Sequence, residues 1–172
     1  DDARTTIFDY WSMPEFQKWV NGGKFDGGGL SDGQRCLRDW YGHLLAVVKE
    51  PAFARGEFYG LNHANRENEA FGRLDGESAS GHWLYAFLRR DEQSGQAFLV
   101  VANFHGTETL EGVRVSLPRH ALEWLGKTDG KLAFAERLAD GWQSTADAAE
   151  LSDAGLSLPD LPPLSALMIE IR

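Results

Sequence analysis

Apolar residues follow two different periods along this chain, and the change from one to the other falls near Arg55. Before it the spacing is helical. Ser12-Met13-Pro14-Glu15 predicts a helix start, because a Ser cap with Glu three residues on satisfies two orphan amides and Pro is tolerated in the first turn. Phe16, Trp19 and Val20 then share one face, and Asn21-Gly22-Gly23 stops the helix. Gly27-Gly28-Gly29 marks an irregular stretch, after which Ser31 and Gln34 form a second capping box. The helix that follows carries Leu37, Trp40, Tyr41, Leu44, Leu45 and Val48 at helical spacing, which predicts one buried, aromatic-rich stripe ending at Pro51.

After Arg55 the period drops to two. Gly56 to Leu61, His82 to Leu88, Ala97 to Phe104, Val113 to Leu117, Leu132 to Arg137 and Leu164 to Ile171 each read as strands bounded by Gly, Pro or Asp clusters. Arg89 to Gly95 is a polar hairpin connection, so its flanking strands should pair antiparallel. Short strands without intervening helices predict a mainly β chain built as an antiparallel β-sandwich, preceded by an α-helical segment. Trp19, Trp40, Tyr41, Trp83 and Tyr85 fall on periodic faces and are expected in the core. Asn62 to Ser80 is a polar loop of a length that is either functional or mobile. The domains are therefore read as 1–55 and 56–172, and with no Pro-rich or Ser-rich linker they are expected to pack together.

Composition narrows the function classes. The 172 residues are 42% hydrophobic and 25% charged, which is ordinary globular usage. Seventeen basic against 26 acidic residues give a net charge of −9, concentrated after Arg55. That removes the basic footprint of a nucleic-acid or anionic-membrane partner. A lone cysteine, Cys36, forms no internal disulfide and leans toward a reducing, cytoplasmic compartment, with export left open. No apolar run approaches the ~18 residues of a membrane span. The start at Asp1, without Met, leads us to expect a piece of something longer.

Motif chemistry is sparse. Asn21-Gly22-Gly23-Lys24 lacks the Ser or Thr of a P-loop, and no GxGxxG follows a strand. His43, His63, His82, His105 and His120 show no metal-ligand spacing, no calcium loop occurs, and no cofactor or metal is expected. There is no GxSxG elbow. A glycosidase-type carboxylate pair stays open, since such pairs are recognised by distance. The aromatics give the best direct hint. Asp9, Tyr10 and Trp11 precede a helix cap, and an aromatic face beside hydrogen-bonding groups suits a carbohydrate contact. Trp124 and Trp142 lie in less periodic sequence and join them as candidate carbohydrate-binding residues.

The order of pieces now carries a resemblance. Arg4 to Trp11, Pro14 to Asn21, Lys24 to Gly29 and the helix Leu37 to Val48 resemble the end of the TIM-type barrel of the α-amylase family (glycoside hydrolase family 13). Arg55-Gly56-Glu57-Phe58-Tyr59-Gly60-Leu61-Asn62, Trp83 to Arg89 and Phe98 to Phe104 resemble that family's C-terminal β-sandwich, a Greek-key domain. The resemblance implies a retaining α-glucosidic chemistry run by Asp, Glu and Asp on earlier barrel strands. Neither the nucleophile's Gly-x-Arg-x-Asp context nor the Asn-His-Asp of the later strand occurs, so the chain is expected to carry no catalytic residue and to be inactive alone. It implies a non-catalytic C-terminal part that steadies the missing catalytic barrel, with an α-glucan or maltooligosaccharide as candidate ligand. Residues after the last barrel strand sit at the active-site mouth, where Asp9, Tyr10 and Trp11 would lie. The barrel-facing side of the long helix, left without its partner, predicts self-association. A stand-alone carbohydrate-binding or interaction module is the alternative.

Overall fold

The computed structural model describes residues 13–139 and 141–172, so Asp9, Tyr10, Trp11 and the Ser12 cap lie outside the described residues. The chain divides into two compact units, 1–45 and 46–172.

In the first unit, helix α1 (Pro14–Val20) opens with Met13 at its N-cap and no side-chain cap. Glu15, expected to close a capping box, instead pairs with Lys18 at 2.8 Å and accepts from the Gln34 amide. Asn21 ends the helix in the left-handed region at φ 44°. Its side-chain amide donates to Asp26 at 2.8 Å, and the Gly28 N–H donates to the same oxygen at 2.9 Å. These two bonds hold the Asp26 carboxyl below its ordinary value. Helix α2 (Asp32–Val47) begins with the expected capping box: Ser31 N–H donates to Gln34 Oε1 at 3.0 Å and Gln34 N–H to Ser31 Oγ at 3.3 Å. The expected burial of its stripe does not hold. Leu37, Trp40, Tyr41 and Leu45 are exposed, each close to half its surface or more, and Leu44 and Val48 are half-buried. Helical periodicity specifies that one face is apolar and not what covers it.

The second unit runs through α3 (Pro51–Ala54), β1 (Glu57–Gly60), β2 (Leu84–Asp91), β3 (Gln96–Asn103), β4 (Arg114–Val115), α4 (Arg119–Leu125), β5 (Lys131–Glu136), β6 (Gln143–Asp147), β7 (Leu156–Ser157) and β8 (Ala166–Ile171). Six strands form one sheet in the order β1-β2-β3-β8-β5-β6, with β4 and β7 as a separate pair, and every pairing is antiparallel. The mainly β architecture after a helical segment is as expected. Strand β6 was missed because its sequence, Gln-Ser-Thr-Ala-Asp, has no apolar face to announce it, and α4 because its apolar face is only two turns long.

One face of the large sheet presents Leu84, Ala86, Leu88, Leu99, Val101, Phe134 and Ile169 to a core completed by Val113, Val115, Leu117 and Leu156 from the smaller sheet and by Leu122 and Leu125 from α4. Alternation sends Tyr85 and Phe87 of β2 the other way. There Phe58, Phe87 and Tyr85 form a row with ring spacings of 5.2 and 5.7 Å. Phe58 and Tyr85 are exposed and Trp83 is half-buried, which corrects the expectation of core positions for Trp83 and Tyr85. Further along this face α3 is pinned by Arg89, whose guanidinium donates to the carbonyls of Ala52, Phe53 and Gly56 at 3.1, 3.0 and 2.6 Å, while Phe53 packs on Phe98 at 4.8 Å. A cation on the last carbonyls of a helix satisfies groups that have no helical partner. Gly56 is required here, since a Cβ would lie 2.3 Å from the Ala52 carbonyl oxygen.

The β2–β3 hairpin is closed by Asp91, whose carboxylate accepts from Arg55 Nε and NH2 at 3.1 and 2.9 Å and from the Ser94 hydroxyl and N–H at 2.6 and 3.1 Å. The Arg55 guanidinium, then the Ser94 hydroxyl, hold this carboxyl well below the usual carboxylate range. A folded pKa below the unfolded value contributes stability that is present above the unfolded pKa, about 3.9, and is lost as pH falls through the folded one. Asp91→Asn is therefore expected to lower stability at neutral pH and to flatten its loss below pH ~4. Urea midpoints across an acid pH series measure this; parallel curves for the two proteins would refute it.

Candidate functional site

The long polar loop between β1 and β2 is a built structure. Asn65 is completely buried and uses its whole amide: Nδ2 donates to the Leu61 and Ser116 carbonyls at 3.1 and 3.0 Å, and Oδ1 accepts from Ser116 N–H at 2.8 Å and Asn68 Nδ2 at 3.1 Å. Asn68 also donates to the Arg114 carbonyl at 2.9 Å and accepts from the Ala70 N–H at 3.1 Å. Ser80 ties the far end of the loop back, its hydroxyl donating to the Asn68 carbonyl at 2.7 Å and its N–H to the Arg66 carbonyl at 2.8 Å. A polar segment can lie against a core only when its backbone groups are paired in this way. Phe71, fully buried, is the apolar anchor.

Held so, the loop walls an open cavity of about 630 Å³ in which His63, Arg66, Glu77 and His82 meet. Asn62 fixes one wall through bonds from Nδ2 to the Leu84 and Gly81 carbonyls at 2.8 and 3.3 Å and from the Ala86 N–H to Oδ1 at 2.8 Å. Gly81, at φ 86°, lets the chain pass close to it: a Cβ there would lie 2.9 Å from Asn62 Nδ2.

His82, which lines the cavity, belongs to an aromatic set. His82 lies flat on Trp83, with 4.5 Å between centroids and 5° between planes, and Trp83 meets His105 edge-on at 4.6 Å. The His82 side chain is 65% exposed, yet its Nδ1 is also 3.1 Å from Glu77 Oε1, and Glu77 Oε2 accepts from the Leu74 N–H at 2.9 Å. His105 Nδ1 accepts from the N–H groups of Thr107 and Glu108 at 3.2 and 2.8 Å, so its ring proton is on Nε2. Beside it Phe104 and Leu164 are exposed, and Leu164 is held in the left-handed region at φ 53°, a strain for a side chain of its kind.

The sequence candidates lie elsewhere. Trp124, on α4, is half-buried against the core with Tyr59 at 5.3 Å and the Arg90 guanidinium 4.9 Å from its ring centroid. Trp142, before β6, is half-buried too, and its carbonyl accepts from the Glu136 N–H at 3.0 Å. These contacts place the two tryptophans toward opposite edges of the sheet, β1 and β6, so the fold does not gather them into one site. The cavity was missed because its side chains come from a loop without periodicity. Its available signals were the three-residue spacing of Asn62, Asn65 and Asn68 and the adjacent ring pair His82-Trp83.

The shielded carboxylates are committed to the fold. Glu136 accepts from the N–H groups of Leu138, Ala139 and Met168. Glu170 pairs with Arg137 and Arg172; burial opposes its ionisation, but the two guanidiniums outweigh that and lower its pKa. Among the described residues no group of three or more His, Cys, Asp or Glu is placed to hold a metal ion.

A sequence profile for a known domain family, described as alpha amylase, C-terminal all-beta domain, matches residues 77–172. No curated protein matches the chain.

If the Asn65 amide holds the loop, Asn65→Ala should cost about 3 kcal/mol, because it strands buried backbone groups of Leu61 and Ser116. Brief trypsin treatment should leave Arg66-Glu67 and Arg73-Leu74 intact in the parent chain and cut them early in the variant. Equal cutting in both would refute the assignment.

Proposed function

The chain belongs to the family of α-amylase C-terminal all-β domains, and from that premise we propose that it acts as the non-catalytic C-terminal part of an α-glucan-active glycoside hydrolase or transglycosidase, steadying the catalytic barrel. The observation that carries this reading is the exposed apolar face of α2, where Leu37, Trp40, Tyr41 and Leu45 stand in solvent with Trp40 and Tyr41 edge-on at 5.2 Å. Monomeric soluble domains seldom expose contiguous apolar patches beyond a few hundred Å². The last helix of a barrel has such a face by construction, because its inner stripe packs on the strands. Carbohydrate contact is the finer part of the proposal. Asp9, Tyr10 and Trp11 would provide it at the barrel mouth, and Trp124 and Trp142 through the part of each ring left to solvent.

Sequencing the coding region upstream of Asp1 tests the reading directly, with seven further strand-helix units bearing the catalytic Asp, Glu and Asp as the expected result; a start codon next to Asp1 would overturn it. For the chain alone, we expect binding of an apolar dye, self-association in sedimentation and no turnover of soluble starch. Leu37→Ser with Tyr41→Ser should abolish the dye binding and leave the unfolding free energy of the sheet unit within ~0.5 kcal/mol of the parent. A dye-negative, monomeric parent would sink the idea of an uncovered barrel face.

A further inference from the structure

We infer that the cavity walled by the Asn62–Ser80 loop and lined by His82 is a binding site for a neutral α-glucan oligosaccharide, separate from the positions read from the sequence. Three observations point to a sugar. First, His82 is an exposed ring that is nevertheless locked, stacked on Trp83 on one face and bonded to Glu77 at its edge. An exposed contact of this kind adds little to stability, so what it achieves is orientation of a ring that lines the cavity. A flat ring presented to solvent in one orientation suits the apolar face of a pyranose. Second, hydrogen-bonding groups of both kinds stand beside that ring. Arg66 and His63 supply donors and the Glu77 carboxylate is an acceptor, which matches a ligand whose hydroxyls both donate and accept. Third, the wall is ordered before any ligand arrives, because Asn62 bonds it to β2, Asn65 and Asn68 bond it to the β4 segment, and Ser80 ties the loop to its own Asn68 carbonyl.

Groups of both signs line the cavity, Arg66 and Glu77 among them, on a chain of net charge −9. The choice of an α-glucan among neutral sugars rests on the proposed function; the recognition of a pyranose ring rests on the geometry.

Maltoheptaose titrated into the full chain, followed by tryptophan fluorescence and amide chemical shifts, tests the site. Millimolar binding is expected, with shifts at residues 62–66 and 77–83. His82→Ala and Arg66→Ala should each weaken it about tenfold, and His82→Phe, which keeps a flat ring, should retain most of it. Both positions are exposed, so the variants should keep the parent circular dichroism. Unchanged binding in all three, with loss in Trp124→Ala or Trp142→Ala, would overturn this site and leave glycan contact elsewhere standing. No binding to the parent chain would also overturn it, while the barrel-tail reading would still be decided by the upstream coding region. Displacement of the sugar by millimolar inorganic phosphate would mark an anion site and refute the assignment.

Discussion

The sheet depends on its last strand. β8 lies between β3 and β5, so the six-stranded order exists only once residues 166–171 have returned from the far side of the domain and paired on both edges. Closing that long segment costs chain entropy, repaid by the burial of Ile169 and Ile171 on one face and Met168 on the other. The insertion also brings the beginnings of β2 and β8 and the end of β3 to one end of the sheet. Asn103, almost fully buried there, places its Nδ2 within 3.0 Å of the carbonyls of Glu108, Leu161 and Pro162, and its Oδ1 accepts from the His105 N–H at 2.9 Å. Through this one amide the closing of the sheet fixes His105, and with it the edge of Trp83. The aromatic end of the domain is a consequence of the topology.

The buried polar groups share one logic. Asn65, Asn103 and Glu136 each sit where the chain leaves a regular ladder, and each takes up backbone N–H or C=O groups that no strand pairs. Two of the three are neutral amides. An amide with all its bonds made loses little on burial, whereas a buried ion pair must first repay the desolvation of two charges. The guanidiniums are placed at the margins: Arg55 on Asp91 with half its side chain in solvent, Arg137 between Glu50 and Glu170, and Arg89 on the end of α3. The fold thus closes these junctions with two amides and one carboxylate inside, and sets the guanidiniums of Arg55, Arg137 and Arg89 nearer the rim.

Where a sequence signal came from alternating burial, it was legible. The strands around Leu84 to Leu88 and Leu99 to Val101 announce themselves because one face is packed and the pattern must repeat every second residue. The same rule fails for β6, which is a polar edge strand, and it misleads for Tyr85, where an aromatic in a regular strand belongs to the outward face. Trp40 and Tyr41 show the other limit: a perfect helical stripe carries no information about its partner. For the site, the aromatic count drew attention to Trp124 and Trp142, whose rings are largely absorbed by Tyr59, Arg90 and the core. The loop that walls the cavity was read only as a length, because what orders it is side-chain to backbone bonding, whose one trace in the sequence is the three-residue spacing of Asn62, Asn65 and Asn68.

Two kinds of exposed aromatic surface therefore need to be kept apart. On α2 the exposed groups are Leu37, Trp40, Tyr41 and Leu45, a face of hydrocarbon with little that can donate or accept. Water is best removed from such a face by another hydrocarbon face, and a sugar, which must keep its hydroxyls bonded, gains little there. Just before β2 the exposed ring is an imidazole held between an indole and a carboxylate, in a cavity also lined by a guanidinium and a second imidazole. A ligand there would meet one apolar ring with polar groups beside it, a combination that suits a hydroxylated ring better than a hydrocarbon side chain. The difference lies less in how much aromatic surface is exposed than in whether bonding groups are fixed beside it.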